Sequence, residues 1–129
     1  MYKLSPFSER CRELLRESQY EALDMAARAA LWDLVDSGTM PYRTGWMQWD
    51  TTYQDNSDLR GLGVTRLCTS AEYAYEMYTH PEYGFNRDHN AYAGAYWFAP
   101  YVYGPKLSVI GDTYGETLRR VLERKGFEQ

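Results

Sequence analysis

Cys11, Leu14, Leu15, Ser18, Ala22, Met25, Ala29 and Trp32 recur at steps of three and four, the spacing that places side chains on one stripe of a helix. Ser5 followed by Pro6 gives a start signal, because serine can cap free amides and proline fits the first turn without losing a hydrogen bond. Gly38 is the natural stop. The pattern predicts a helix over about 6–37, roughly 45 Å long at about 1.5 Å per residue. Its two halves differ in composition. Glu9 to Glu17 is laced with Glu and Arg, whereas Leu23 to Trp32 is rich in alanine. Small residues admit a close neighbour, so the second half is expected to be buried and the first to project.

The pattern then changes period. Thr44-Gly45-Trp46-Met47-Gln48-Trp49-Asp50-Thr51-Thr52-Tyr53 is rich in strand formers with approximate alternation. Gln54 to Asp58 reads as a polar turn, and Gly63 to Thr69 returns as the partner strand, giving an antiparallel hairpin over about 44–69. Ser70 is placed to cap a short helical turn through Glu72 to Glu76. A long aromatic loop follows over about 78–98. Gly104-Pro105 opens a last helix over about 105–125, with Leu107, Ile110, Tyr114, Leu118, Val121 and Leu122 on its inner side and Gly126 as its stop. Two helices packed on a small antiparallel sheet make an α+β fold, expected as one domain across residues 1–129.

Composition sharpens one part of this picture. The chain holds 13 tyrosines and 4 tryptophans, far above ordinary usage, and eight of the tyrosines fall in the stretch from Tyr73 to Tyr103. Such rings offer large rigid contact area with few rotamers to freeze, as expected of a surface made to be covered. The net charge of −4 argues against duplex DNA as the main partner, since phosphate binding needs a concentrated basic patch. The charge balance still leaves room for a local basic face, for instance over Arg119, Arg120, Arg124 and Lys125. Cys11 and Cys68 are too far apart in sequence for a zinc motif and read as reduced thiols. No apolar run approaches the ~20 residues of a membrane span, and the start of the chain lacks a signal-peptide segment, so a cytoplasmic protein without a membrane partner is expected.

Candidate chemistry is sparse. His80 and His89 share a loop with Glu82 and Asp88, and Cys68 lies nearby; such a set could ligate zinc or move protons, but the spacing fits no ligand pattern. Solvated or hydrogen-bonded loop histidines are the plainer reading. Gly61-Leu62-Gly63 lacks the third glycine and the following helix of a phosphate cradle, and reads as turn chemistry. Trp46, Trp49, Tyr53 and Trp97 could form a stacking platform for a glycan or single-stranded nucleic acid, against the plainer reading of a sheet face packed on a helix. No catalytic residue, metal or cofactor is expected.

Taken in order, the chain shows an alanine-rich helix, Met40-Pro41-Tyr42-Arg43-Thr44-Gly45 before a strand, Tyr73-Ala74, and Ala93-Gly94-Ala95-Tyr96-Trp97-Phe98-Ala99-Pro100 before the last helix. This order resembles the minor capsid and head–tail joining (neck, tail-completion) proteins of long-tailed bacteriophages, over about Leu23 to Arg124. The Asn86-Arg87-Asp88-His89-Asn90 to Trp97-Phe98 run is its most particular element. The resemblance implies a virion protein without enzymatic activity. It would form a homo-oligomeric ring in the neck between the portal side of the head and the tail tube, assembled in the bacterial cytoplasm. Its neighbours would be adaptor or stopper proteins and a tail terminator or tail tube, with DNA only as cargo passing through the lumen. It also implies that Pro41, Thr44 and Gly45 shape the start of the first strand. Tyr73, Ala74, Gly94, Trp97 and Phe98 would fix the closing loop, with Tyr83, Phe85 and Asn90 in the same structural and interface set.

Overall fold

A computed structural model describes residues 9–41, 51–85, 87–88 and 90–126. Helix α1 (Glu9–Asp36) leads to strand β1 (Thr52–Asp55), a helical turn α2 (Leu59–Leu62), strand β2 (Arg66–Thr69), short helices α3 (Ala74–Thr79) and α4 (Ala99–Val102), and helix α5 (Leu107–Arg124). The fold is α+β: a long first helix and a long last helix with one small two-stranded antiparallel sheet.

The two long helices make the main contact of the fold. They run antiparallel, because Lys106 before α5 meets Asp33 near the end of α1 at 2.8 Å, while Arg124 at the end of α5 meets Glu21 at 3.0 Å. The buried stripe of α1 is Cys11, Ser18, Ala22, Ala26, Ala27, Ala30, Leu34 and Val35. It follows the expected stripe as far as Ala22 and then departs from it, for Met25 and Trp32 are 39% and 59% exposed. The reason is steric. Ala22, Ala26 and Ala30 lie one turn apart, and turning these small side chains inward lets a neighbour approach the α1 backbone more closely than Met25 or Trp32 would allow. The expectation of a projecting first half also needs correction. Cys11 and Ser18 are buried, Ser18 Oγ donates to the Leu14 carbonyl at 2.7 Å, and Glu17 and Glu21 carry tertiary ion pairs.

Residues 44–50 of the expected first strand lie outside the described residues, and the described part of the hairpin extends into the stretch read as a turn. Thr52 pairs with Thr69, Tyr53 with Cys68, Gln54 with Leu67 and Asp55 with Arg66, so Gln54 and Asp55 are strand residues and not turn residues. Their polarity has a structural use. Gln54 Nε2 and Asn56 Nδ2 both donate to Asp24 Oδ1 at 2.9 Å, fastening the hairpin to α1. The connection from β1 to β2 also holds α2, which ends at Gly63 with φ +68, a left-handed conformation that glycine adopts without strain. Arg60 of α2 reaches Glu17 at 2.6 Å, and Tyr20 donates its hydroxyl to the Arg60 carbonyl. On α5, Leu107 departs from the expected inner side at 48% exposed, while Val121 is buried.

Candidate functional site

The core that gathers around Trp97 positions the aromatic half of the chain. Trp97, 2% exposed, packs with Ala30, Leu34 and Met40 from the α1 end, Ala71 and Ala74 from the start of α3, and Tyr101 of α4. Tyr78 meets Trp97 edge to face at 4.8 Å and Tyr96 likewise at 5.6 Å, geometries that suit the ring quadrupoles. The indole Nε1 of Trp97 is buried and has no hydrogen-bond partner among the described residues.

The segment from Ala71 through α3 divides its side chains between two environments. Ala71, Ala74, Met77 and Tyr78, at steps of three and four, face this core, and Glu72, Tyr73, Tyr75 and Glu76 between them face outward. Tyr75 is 78% exposed. The closing segment is divided in the same way by one backbone feature. Tyr96 has φ +55, in the left-handed region that side chains seldom enter, and this turn sends Trp97 inward while the Tyr96 ring stays at the surface. Tyr96 N donates to the Tyr78 carbonyl at 3.1 Å, which holds the turn against α3. Tyr92 and Tyr103 are exposed beyond it, with Val102 beside Tyr103 in sequence.

The loop is tied to the end of α1 by backbone and side-chain bonds together. Tyr92 N donates to the Gly38 carbonyl and Gly94 N to the Thr39 carbonyl, at 3.0 and 3.1 Å. Asn90 Nδ2, itself buried, donates to the Met40 carbonyl at 2.8 Å. Gly38 has φ +70, and a Cβ there would meet the Asn90 and Ala91 backbone at 3.6–3.7 Å.

At the outer tip, His80 Nδ1 bonds Glu82 at 2.6 Å, the Tyr83 ring stacks on the imidazole at 4.6 Å, and the Tyr83 hydroxyl donates to Glu76. The hydrogen bond from His80 holds the Glu82 carboxyl below its ordinary value, and the bond to Glu76 raises the Tyr83 hydroxyl. These groups bond to one another at an exposed surface. Among the described residues no group of three or more His, Cys, Asp or Glu side chains is placed to hold a metal ion. An open recess of about 260 Å³ lies between α1, α2 and the end of α5, where Glu17, Glu21 and Asp24 are engaged by Arg60, Arg124 and the hairpin amides.

Of the residues singled out from the sequence, Ala74, Trp97 and Phe98 meet at the core, Asn90 and Gly94 fasten the loop, and Pro41 is buried beside Met40. Tyr73 and Tyr83 face outward at 41% exposure each, and Phe85 is half-buried. Thr44, Gly45, Trp46, Trp49 and His89 lie outside the described residues. Burial removes Trp97 from any stacking platform, since a ring 2% exposed cannot receive a ligand. Two residues that carry much of the geometry, Tyr78 and Tyr101, were not distinguished from the surrounding tyrosines by sequence. The inward spacing from Ala71 to Tyr78 is the signal that could have separated Tyr78. No helix of the described residues is long and apolar enough to cross a membrane. No protein-family model, curated protein or solved structure matches the chain.

Proposed function

We propose that this chain is a structural component of a tailed-phage virion neck, a ring-forming head–tail joining or tail-completion protein through whose lumen DNA passes. The observation that carries the reading is the division of the aromatic residues. One set, around Trp97, makes a rigid core, and a second set on the same short elements, Tyr73, Tyr75, Tyr92, Tyr96 and Tyr103, is held at the surface. Holding so many large rings in water on a well-ordered base has no use for a lone monomer. Exposed aromatic surface of this kind marks sites where another macromolecule packs. The order of short motifs, which resembles that of neck proteins, supports this class of assembly.

The other virion components, a portal-side adaptor or stopper and a tail terminator or tail tube, would lie on the two faces of such a ring. An acidic protein suits a channel through which DNA slides, because a basic lumen would retain the phosphates. Electron microscopy and native mass spectrometry of the purified chain test the proposal. Closed rings with a central opening are the expected result, and a chain that stays monomeric at every concentration, alone or with portal and tail components, overturns it.

A further inference from the structure

Strand β2 presents an open edge. Among the described residues the sheet has two strands, and Ser70 N donates to the Thr51 carbonyl at 2.9 Å, which fixes the backbone pairing between them. Thr51 and Ser70 form a hydrogen-bonded pair, so by the antiparallel alternation Tyr53 with Cys68 is the next such pair, and Asp55 with Arg66 the one after. Leu67 and Thr69 therefore turn their N–H and C=O groups away from β1. These outward groups meet no backbone partner among the described residues. Such a row is a template for another strand, and Leu67-Cys68-Thr69 lacks the devices that blunt an edge, having no proline, no charge and no bulge against β1.

We infer that β2 pairs with β2 of a second copy, antiparallel about a two-fold axis at Cys68. The register follows from the outward groups. Centring on Cys68 sets Leu67 of each copy opposite Thr69 of the other, so every outward N–H and C=O of both strands is used. Centring on Leu67 would set Thr69 opposite Thr65, which lies outside the strand. The side chains suit a second copy as the occupant. Cys68 is small and uncharged, so it can face itself, and it lies with Tyr53 on the face of the sheet away from Leu67, which packs on the core. Arg66 would face Ser70 of the other copy, so the two guanidinium groups are not opposed. Helix α1 packs on both strands of its own copy. Each copy adds about 9.6 Å of sheet at about 4.8 Å per strand, which is the width one packed helix covers. A contact of this length belongs to the small, transient class of interfaces. It is isologous and closes on itself as a pair, separate from the head-to-tail contact of a ring, and it does not rest on the ring reading.

The axis supplies the test, because position 68 faces itself. Opposed Cα atoms in such a non-hydrogen-bonded pair are about 4.5 Å apart, within the separation of about 4.4–6.8 Å that a disulfide spans. Cys68 is a free, half-buried thiol, and Cys11 is buried. With diamide as the oxidant, the wild-type chain should give a disulfide-linked dimer that Cys68→Ser abolishes. Arg66→Cys in the Cys68→Ser background should link roughly tenfold more slowly or less, since those two positions lie about 13 Å apart at about 3.3 Å per residue. Cys68→Lys alone and Cys68→Glu alone should each lose roughly tenfold or more in association constant, and their mixture should recover it, because opposite charges then meet at the axis. Circular dichroism checks that each variant keeps its helices, and sedimentation reads association. Equal linkage rates from positions 66 and 68 overturn the pairing. So do lysine and glutamate variants that associate no better together than apart, or a wild-type chain that shows no pairing at any concentration.

Discussion

The Tyr101 hydroxyl donates to Asp33 Oδ2 at 2.5 Å, joining the short helix α4 to the end of α1 across 68 residues of sequence. Lys106 Nζ reaches the same oxygen at 2.8 Å. Burial alone would raise the Asp33 carboxyl, but the hydrogen bonds from Lys106 and Tyr101 outweigh it and hold the group below the ordinary aspartate value. Burial first, and then the bond to Asp33, push the Tyr101 hydroxyl well above the ordinary tyrosine value. A carboxyl lowered in the folded state stabilises above its unfolded value, and that contribution is lost as pH falls through the folded value. A hydroxyl raised in the folded state stabilises below its unfolded value, about 10, and that contribution is lost as pH rises through the folded one. Tyr101→Phe should therefore cost about 1.5–3 kcal/mol at neutral pH, as for a hydrogen bond to a charged group. It should also move the acid limb of the stability profile to higher pH and remove part of the alkaline limb. Urea midpoints across acid and alkaline pH check this, and a variant with an unchanged profile contradicts it.

Two glycines should respond to alanine with opposite signs. A Cβ on Gly104 would lie 2.6 Å from Pro100 Cα and 3.0 Å from the Pro100 carbonyl oxygen, in the turn that Lys106 N closes on that oxygen. Backbone must move to admit it, so Gly104→Ala should destabilise by about 1–3 kcal/mol. Gly115 sits within α5 with nothing within 4 Å of an added Cβ. Gly115→Ala should stabilise the monomer by roughly 0.5–1 kcal/mol through helix propensity. Thermal unfolding of the two variants beside the wild type distinguishes the signs.

Asn90 supplies a third test. Its buried amide is bonded to the Met40 carbonyl, where the loop crosses the end of α1. Asn90→Ala leaves that carbonyl without this donor and should cost about 1–3 kcal/mol. Amide exchange should quicken first at Tyr92 and Gly94, whose N–H groups bond Gly38 and Thr39 beside it. Uniform quickening across the whole chain, with no lead at these two positions, would show that Asn90 does not secure the loop locally.

The two long helices and the class of fold were legible because helical spacing and glycine stops survive in a single sequence. The placement of the stripe on α1 was less so. Hydrophobic size favours Met25 and Trp32 as inward residues, yet the approach of a neighbour selects Ala26 and Ala30, and the partner that makes this choice lies far along the chain. The polar residues Gln54 and Asp55 read as a turn for the same reason, since their partners are Asp24 on α1 and Arg66 and Leu67 on β2. The aromatic concentration of the candidate site was visible in composition alone. Which rings are core and which are surface depends on the left-handed Tyr96 turn, and a tyrosine between alanine and tryptophan gives no local sign of that conformation.

The division of the aromatic residues makes the last prediction, a contrast between two truncations. Trp97 lies within the core cluster and touches Tyr78 edge to face, so Trp97→Ala removes a large buried ring and should cost about 3–5 kcal/mol. Against the 5–15 kcal/mol typical of a domain, such a loss leaves little folded protein. Tyr75 is 78% exposed on the outer side of α3, with few atoms around it to lose. Tyr75→Ala should leave the unfolding free energy within roughly 0.5 kcal/mol of wild type, as for an exposed position. Its effect belongs to association. An anchoring interface tyrosine costs about 2 kcal/mol or more when truncated, about thirtyfold in the association constant. Denaturation and sedimentation on the same preparation separate the two outcomes, and a Tyr75→Ala chain that folds and associates like wild type would leave the exposed tyrosines without the role assigned to them.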